Sequence, residues 1–329
     1  MAERLEQFDT WDKNARIMDK INVLVSLNRG YGLGDCVQMS AVLRHLAKHR
    51  PHWVVDYQSE EGRHCVGRGI VANTFAYGTP YPTPHYDAEV HILLYDTWAN
   101  WGDRPNTRVS SCLRERFDLE WDADCGRYQV MVSEQASKMV EAMVSPRGYR
   151  HEKRAEIAKR SVVLHYQGDS SASKKNLTHP QAEHICKEIE KLGYNPLLLD
   201  WRNVSPLPDS YHIHTVGRIP TARQWGNDAE INCAVISQCA AFVGIDSGPS
   251  KCASATDTPA LVIWTGHHPA PFHDPAPNTT HLVPKGYHGL EPVCNDRGVI
   301  DWFERHYNVR YYNHDLVGEV GAWLREVLK

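Results

Sequence analysis

No apolar stretch in this sequence approaches the roughly 20 residues that a bilayer-crossing helix needs. The first twenty residues are charged where a signal peptide would carry an apolar core. No membrane span and no secretory leader are therefore expected, and the expected compartment is the cytoplasm. Paired cysteines are missing as well. The 9 Cys are an odd number, scattered from Cys36 to Cys294, with no Cys-x-x-Cys pair and no zinc-ribbon spacing. A reducing environment is the simplest account. Nor is there a block of one charge sign: 36 Lys+Arg stand against 40 Asp+Glu, for a net charge of −4. Non-specific nucleic-acid binding needs a basic surface that displaces counterions, so it is not favoured, although a local basic groove remains compatible. Internal repeats and low-complexity tracts are absent too.

What is there fits an ordinary folded chain. With 329 residues, 42% hydrophobic and 23% charged, it is long for one α/β domain and suited to two. Residues 1–20 predict a polar leader or one short helix. Ile21–Leu27 predicts a strand that stops at the glycine-rich Asn28–Asp35. Val37–His49 then places apolar residues at helical spacing until Pro51. Strand, glycine turn and helix open a β-α-β unit. Further strands are expected at Trp53–Tyr57 and Glu89–Tyr95, with an irregular loop over Tyr77–Pro84 between them and a helix over Glu134–Val144.

The polar stretch Ser145–Arg154 predicts a linker, after which the pattern restarts. Strands at Ser161–Tyr166, Pro196–Asp200, Ala241–Ile245 and Ala260–Trp264 alternate with helices at His179–Leu192, Asn227–Cys239 and Ser250–Thr256. Thr178 suits the N-cap of the first of these helices, Pro180 its first turn and Gly193 its stop. Strands alternating with helices imply parallel sheets, and the restart implies two of them. Leu316–Leu328 predicts an amphipathic closing helix.

Three segments could carry chemistry. The first is Gly30-Tyr31-Gly32-Leu33-Gly34-Asp35, between strand and helix. In a parallel sheet such a turn faces the binding crevice, and glycine lets backbone approach a ligand. The spacing is neither the dinucleotide fingerprint nor the Walker pattern. Asp35 either takes a proton from an acceptor hydroxyl or merely caps the helix. The second is the loop Gly168–Asn176, with Lys174 and Lys175. It suits phosphate oxygens, or is a solvated loop with two surface lysines. The third runs Gly244-Ile245-Asp246-Ser247-Gly248-Pro249-Ser250-Lys251. It places a helix start, with its N–H groups and a lysine one turn in, at the mouth of a strand, where a diphosphate would bind. A purely structural Asp-Ser-Gly turn is the competing account.

Other features carry less. His267-His268-Pro269 and His273-Asp274 suggest a metal or an acid/base pair, but the surrounding prolines predict a plain loop. Cys233 and Cys239 lie off a common helix face and are expected as small buried hydrophobes. Trp98, Trp101 and Trp121 either stack a sugar or a base, or pack.

With those residues in view, the chain resembles the bacterial heptosyltransferases of glycosyltransferase family nine. One anchor is Gly32-Leu33-Gly34-Asp35-Cys36-Val37 with Ala41–Leu46, which is similar to the family's Gly-x-Gly-Asp segment and Pro-x-Leu-Arg-x-Leu helix. The other is Phe242–Ser250 with Ala253-Ser254-Ala255 and Thr258-Pro259-Ala260, similar to its Asp-Thr/Ser-Gly-x-Ser-His-x-Ala-Ala element. The resemblance implies an α/β GT-B fold of two Rossmann-like domains. These would be 1–150 for the acceptor, 151–312 for a nucleotide-sugar donor, and a closing helix over 313–329. It implies inverting sugar transfer without a metal and with no cofactor beyond the nucleotide-sugar co-substrate. Asp35 would be the general base, with Gly32 and Gly34 beside it. Lys175 or Lys174 would contact donor phosphate, Asp246, Ser247 and Gly248 would line the phosphate turn, and Asp200 would meet the ribose. Lys251 stands where the family has His, Gln38–Ala41 where it has a Thr-Thr-Pro-like stretch, and His267-His268-Pro269 where it has Gly-Pro-Thr.

The expected function is transfer of a sugar from a nucleotide-diphosphate donor to a saccharide or protein hydroxyl. Transfer to a modified nucleic-acid base, a silent nucleotide-sugar-binding module and a sugar epimerase are the alternatives. The epimerase would need more acid/base residues than a lone carboxylate at position 35.

Overall fold

The apolar run Ile21–Leu27 forms strand β1, and its residues Val23–Leu27 are all buried, as a parallel strand covered on both faces requires. In the computed structural model, which describes residues 20–94, 107–141, 143–144, 151–201, 204–213, 228–287, 289–290 and 297–329, two parallel sheets organise the chain. The first half continues from β1 through α1 (Leu33–His49), β2 (Trp53–Ser59), β3 (Asn73–Ala76), β4 (Ala88–Ile92), α2 (Arg108–Phe117), α3 (Ala123–Gly126) and α4 (Glu134–Glu141). Its sheet runs β3-β2-β1-β4. The second half comprises α5 (His151–Lys159), β5 (Ser161–His165), α6 (Ala172–Lys175), α7 (His179–Lys191), β6 (Asn195–Leu198), α8 (Ala229–Ser237) and β7 (Ala241–Ile245). It ends with α9 (Gly248–Ser254), β8 (Ala260–Ile263), α10 (Pro269–Phe272), β9 (Thr279–Pro284), α11 (Arg297–His306), β10 (Asn308–Tyr312) and α12 (Leu316–Val327). Its six strands run β10-β9-β8-β7-β5-β6.

Every strand pairing in both sheets is parallel. In each sheet the first strand is flanked on both sides: β1 by β2 and β4, β5 by β6 and β7. The chain leaves that strand in one direction and returns on the other. Such a reversal opens a crevice at the strand's carboxyl end, the usual ligand position in open α/β sheets. The loops in those two positions are the two polar, glycine-containing segments singled out in the sequence, after Leu27 and after His165.

The core is continuous across the halves. One buried cluster joins Val25, Met39 and Leu43 to Ala229, Ile231, Cys233 and Ala253. A second lies on the other face of the larger sheet, where Leu316, Val320, Trp323 and Leu324 of α12 cover Val162, Ile185, Ile189 and Val243. The amphipathic tail therefore closes the second sheet. All eight described cysteines are free and buried. Among the described residues no helix is long and apolar enough to cross a membrane.

Several boundaries differ from the sequence expectation. α1 begins at Leu33 rather than Val37, because Gly32 is its N-cap and the Asp35 carboxylate reaches back to accept the Gly32 N–H at 3.1 Å. The turn and the helix thus share residues. β4 ends at Ile92, short of Tyr95, which lies outside the described residues. His151–Arg154, expected as linker, open helix α5. Residues 1–19, 145–150, Trp98 and Trp101 lie outside the described residues. β3, α2, β9, α11 and β10 were not anticipated. β9 opens Thr-Thr-His with all three residues buried, so polar side chains hide a core strand. β10 is an edge strand with partly exposed residues, which weakens its periodicity.

Candidate active site

Both switch-point loops line one cleft of about 810 Å³. Gly32, Gly34 and Asp35 come from the first half; Lys175, Asp200, Asp246, Ser247, Gly248 and Lys251 come from the second. Of the residues nominated from sequence, Lys174 is the exception. It is exposed, and its backbone carbonyl accepts the Thr265 hydroxyl at 2.9 Å, while Lys175 faces the cleft. At one edge of the cleft the halves touch. A Cβ placed on Gly34 would lie 3.0 Å from Lys251 Cδ and 3.4 Å from Gly248 Cα.

Asp35 sits in the first turn of α1, 8% exposed. Its Oδ2 accepts the Gly32 N–H, and its Oδ1 accepts from Arg108 Nη1 at 2.9 Å. It is therefore a cap and an ion-pair partner at once. Arg108 opens α2, whose N-cap Thr107 accepts the Ser110 N–H. The Arg108 guanidinium carbon lies 4.4 Å from the centre of the Phe272 ring, in the second half. The neighbouring Cys36 thiol is pushed up to about 12 by burial, so it is inert as a nucleophile.

In the second half, Asp246 directly follows β7 and is 5% exposed. Its Oδ2 accepts from Lys175 Nζ at 2.9 Å and lies 3.2 Å from His267 Nδ1; its Oδ1 accepts from Lys251 Nζ at 3.2 Å. Burial by itself would raise its pKa. The charge of Lys251, the His267 hydrogen bond and Lys175 outweigh that and hold the carboxyl well below the usual carboxylate range. Asp246 thus gathers two cations at one point of the cleft. The start of α9 is narrower than the sequence suggested. Pro249 has no N–H, the Ser247 N–H is donated to Ser250 Oγ at 3.2 Å, and the helix has only 7 residues. The side-chain cations carry more of the positive potential here than the helix end does.

Asp200 follows β6, and its Oδ2 accepts the Val204 and Ser205 N–H groups at 2.8 and 2.7 Å. It lines the cleft beside Trp201. The histidine loop divides. His267 lines the cleft. His268 and His273 are fully buried, and burial lowers them to about 4 and about 3. Asp274 is buried against the Thr107 and Tyr128 hydroxyls, at 2.6 and 2.9 Å, and burial raises it to about 6 despite them. His273 and Asp274 are therefore packing groups between the halves. Trp121 packs edge-on against Trp302.

Arg108 and Phe272 were not nominated from sequence, and His267 was named there only within a segment expected to be a plain loop, whereas it lines the cleft. Thr107, a good N-cap ahead of Val109 and Leu113, was the available sign of α2. Nothing local marks Arg108 or Phe272 as site residues, because only tertiary packing brings them to Asp35.

Two parallel, Rossmann-like sheets whose switch points open on one shared cleft define the GT-B class of fold. Solved structures with this fold include a family 9 glycosyltransferase from Veillonella parvula, 13% identical, covering 96% of this chain and 99% of that one with a TM-score of 0.64. The ADP-heptose LPS heptosyltransferase II of E. coli is 13% identical over 87% of this chain and 98% of its own, with a TM-score of 0.54. The iron-containing dodecameric glycosyltransferase TibC of E. coli is 14% identical over 94% of this chain and 78% of its own, with a TM-score of 0.56. No family model matches the sequence, and neither does any curated protein sequence.

Proposed function

We propose that this chain is an inverting, metal-independent glycosyltransferase. It moves a sugar from a nucleoside-diphosphate donor to a hydroxyl of a saccharide or protein acceptor. Residues 1–150 form the acceptor half, 151–312 the donor half and 313–329 the closing helix. The observation that carries this reading is that a buried carboxylate from the first half, Asp35, and the Lys175–Lys251 cluster around Asp246 from the second half line one cleft.

The donor diphosphate lies against Lys175 and Lys251, whose ammonium groups suit its oxygens. Asp200 meets the ribose, and Ser247 and Gly248 border the phosphates. Asp35 takes the proton of the acceptor hydroxyl, and that oxygen forms a bond to the anomeric carbon. The bond from that carbon to the phosphate oxygen breaks on the opposite face, so the configuration inverts. The departing diphosphate takes the electron pair, and the lysines stabilise its growing charge as a divalent cation would elsewhere. Solved structures of two fold neighbours name their ligands as ADP-2-deoxy-2-fluoro heptose, for WaaC, and ADP-D-beta-D-heptose, for TibC. ADP sugars are therefore the first donors to try.

The test is thermal shift with a panel of nucleoside diphosphates and nucleotide sugars, with and without EDTA. A rise with one diphosphate series that EDTA leaves unchanged supports the proposal. The absence of any rise across the panel overturns the donor site, and a rise abolished by EDTA overturns metal independence.

A further inference from the structure

Asp35 and the lysine cluster belong to different halves of the chain, yet one line of contacts joins them. Asp35 holds Arg108, whose guanidinium lies over the Phe272 ring. That ring stacks on the His267 imidazole with centroids 4.7 Å apart and planes at 19°. His267 Nδ1 is 3.2 Å from Asp246 Oδ2, and Asp246 holds both lysines. The segment carrying Phe272 is also pinned from the first half. Gln38 Nε2 donates to the Phe272 carbonyl at 3.2 Å, and Thr107 and Tyr128 donate to Asp274. The backbone at Phe272 is therefore tied to α1, and the Asp274 side chain two residues on to the start of α2.

We propose that Phe272 and His267 are positioning residues that couple occupancy of the lysine cluster to the placement of the Asp35 carboxylate, acting through Arg108. This rests on the donor-site reading above. A diphosphate that enters draws Lys175 and Lys251 toward its oxygens. Asp246 then leans more heavily on His267. The imidazole carries the change to the ring stacked on it, and the ring carries it to the cation held by its π face. Asp35, bonded to that cation, is set for the acceptor only when donor is present. Coupling of this kind is reciprocal, so a change at Asp35 must also be felt at the lysines.

The experiment uses the full chain labelled with ¹³C at its aspartate carboxyl carbons, titrated with inorganic pyrophosphate and followed by NMR. Asp35→Asn assigns the Asp35 signal. In the wild type that signal moves as pyrophosphate saturates. Phe272→Leu should bind pyrophosphate within about threefold of wild type but lose about fivefold or more of the Asp35 response. Phe272→Tyr, which keeps the ring, should retain the response. His267→Gln keeps a donor for Asp246 without the ring, and should also lose the response. It gives an answer if the leucine variant misfolds. An Asp35 signal that moves as far in Phe272→Leu or His267→Gln as in the wild type overturns the proposal. So does a wild-type signal that stays still at saturating pyrophosphate. Failure of pyrophosphate to bind at all removes the donor site itself, and with it this inference.

Discussion

Gly248 and Leu33 meet across the boundary between the halves: a Cβ built on Gly248 would lie 2.7 Å from Leu33 Cβ and 3.1 Å from the Gly34 nitrogen. The second of these is backbone and cannot rotate away, so the two helix starts must separate to admit a methyl group. Gly248→Ala is expected to lower stability by about 1–3 kcal/mol, as overpacking does. It should also widen the distance between Asp35 and Lys251. Urea unfolding measures the first effect and small-angle scattering or a crystal structure the second. A variant with wild-type stability and an unmoved cleft would show that the contact is slack.

Asp35→Asn isolates the proton transfer. Asparagine keeps an oxygen for the Gly32 N–H, so the start of α1 should survive. The general base is lost, and turnover should fall by about 10²–10⁴-fold with donor affinity little changed. Arg108 also loses its anion in a buried setting, at a stability cost of about 3 kcal/mol. Steady-state kinetics with the donor found by thermal shift decides the matter. Turnover near wild type would remove Asp35 from the chemistry.

Part of this site was legible in the sequence and part was not. Asp35, Lys175 and the Asp246–Lys251 segment follow strand ends marked by apolar runs, and parallel-sheet topology sends such loops to the crevice. The positions could be named without knowing the packing. Their partners could not. Arg108 reaches Asp35 over 73 residues of chain, and Phe272 reaches Arg108 from the other half. No local period records such a meeting. The strand β9 was hidden for a related reason: Thr279, Thr280 and His281 are polar by type but find partners inside, so burial and hydrophobicity part company there. Asp35 also shows why weighing one role against another misleads, since the same carboxylate caps a helix and faces the cleft.

Asp246→Asn tests the idea that Asp246 stores two cations for an incoming anion. Its removal leaves Lys175 and Lys251 crowded together without their shared counter-charge. Breaking a buried charge set in this way costs about 3–5 kcal/mol. A bound anion would restore the missing charge. Pyrophosphate should therefore raise the melting temperature of Asp246→Asn more than that of the wild type. An equal or smaller rise would mean that the lysines do not receive the anion.

The buried histidines and Asp274 set opposite pH dependences, and the difference can be measured. His268 titrates near 4 in the folded chain against an ordinary value of 6.5, because burial disfavours its charged form. The unfolded chain takes up the proton first, so stability is full above pH 6.5 and falls as acid brings the pH toward 4. At about 1.4 kcal/mol per unit, that is on the order of 3 kcal/mol for His268, and His273, lowered to about 3, adds in the same sense. Asp274 works the other way. Burial raises it from 3.8 to about 6, so the folded chain takes up its proton first and gains stability as the pH falls through that window. Asp274→Asn removes this compensation and leaves the histidine losses unopposed. Its urea midpoint should therefore drop more steeply between pH 8 and pH 5 than that of the wild type, whatever constant offset the substitution brings. His268→Asn keeps an acceptor for the Ala270 N–H but does not titrate, and should flatten the same curve. Parallel pH curves for wild type and both variants would mean that neither group changes its proton affinity on folding.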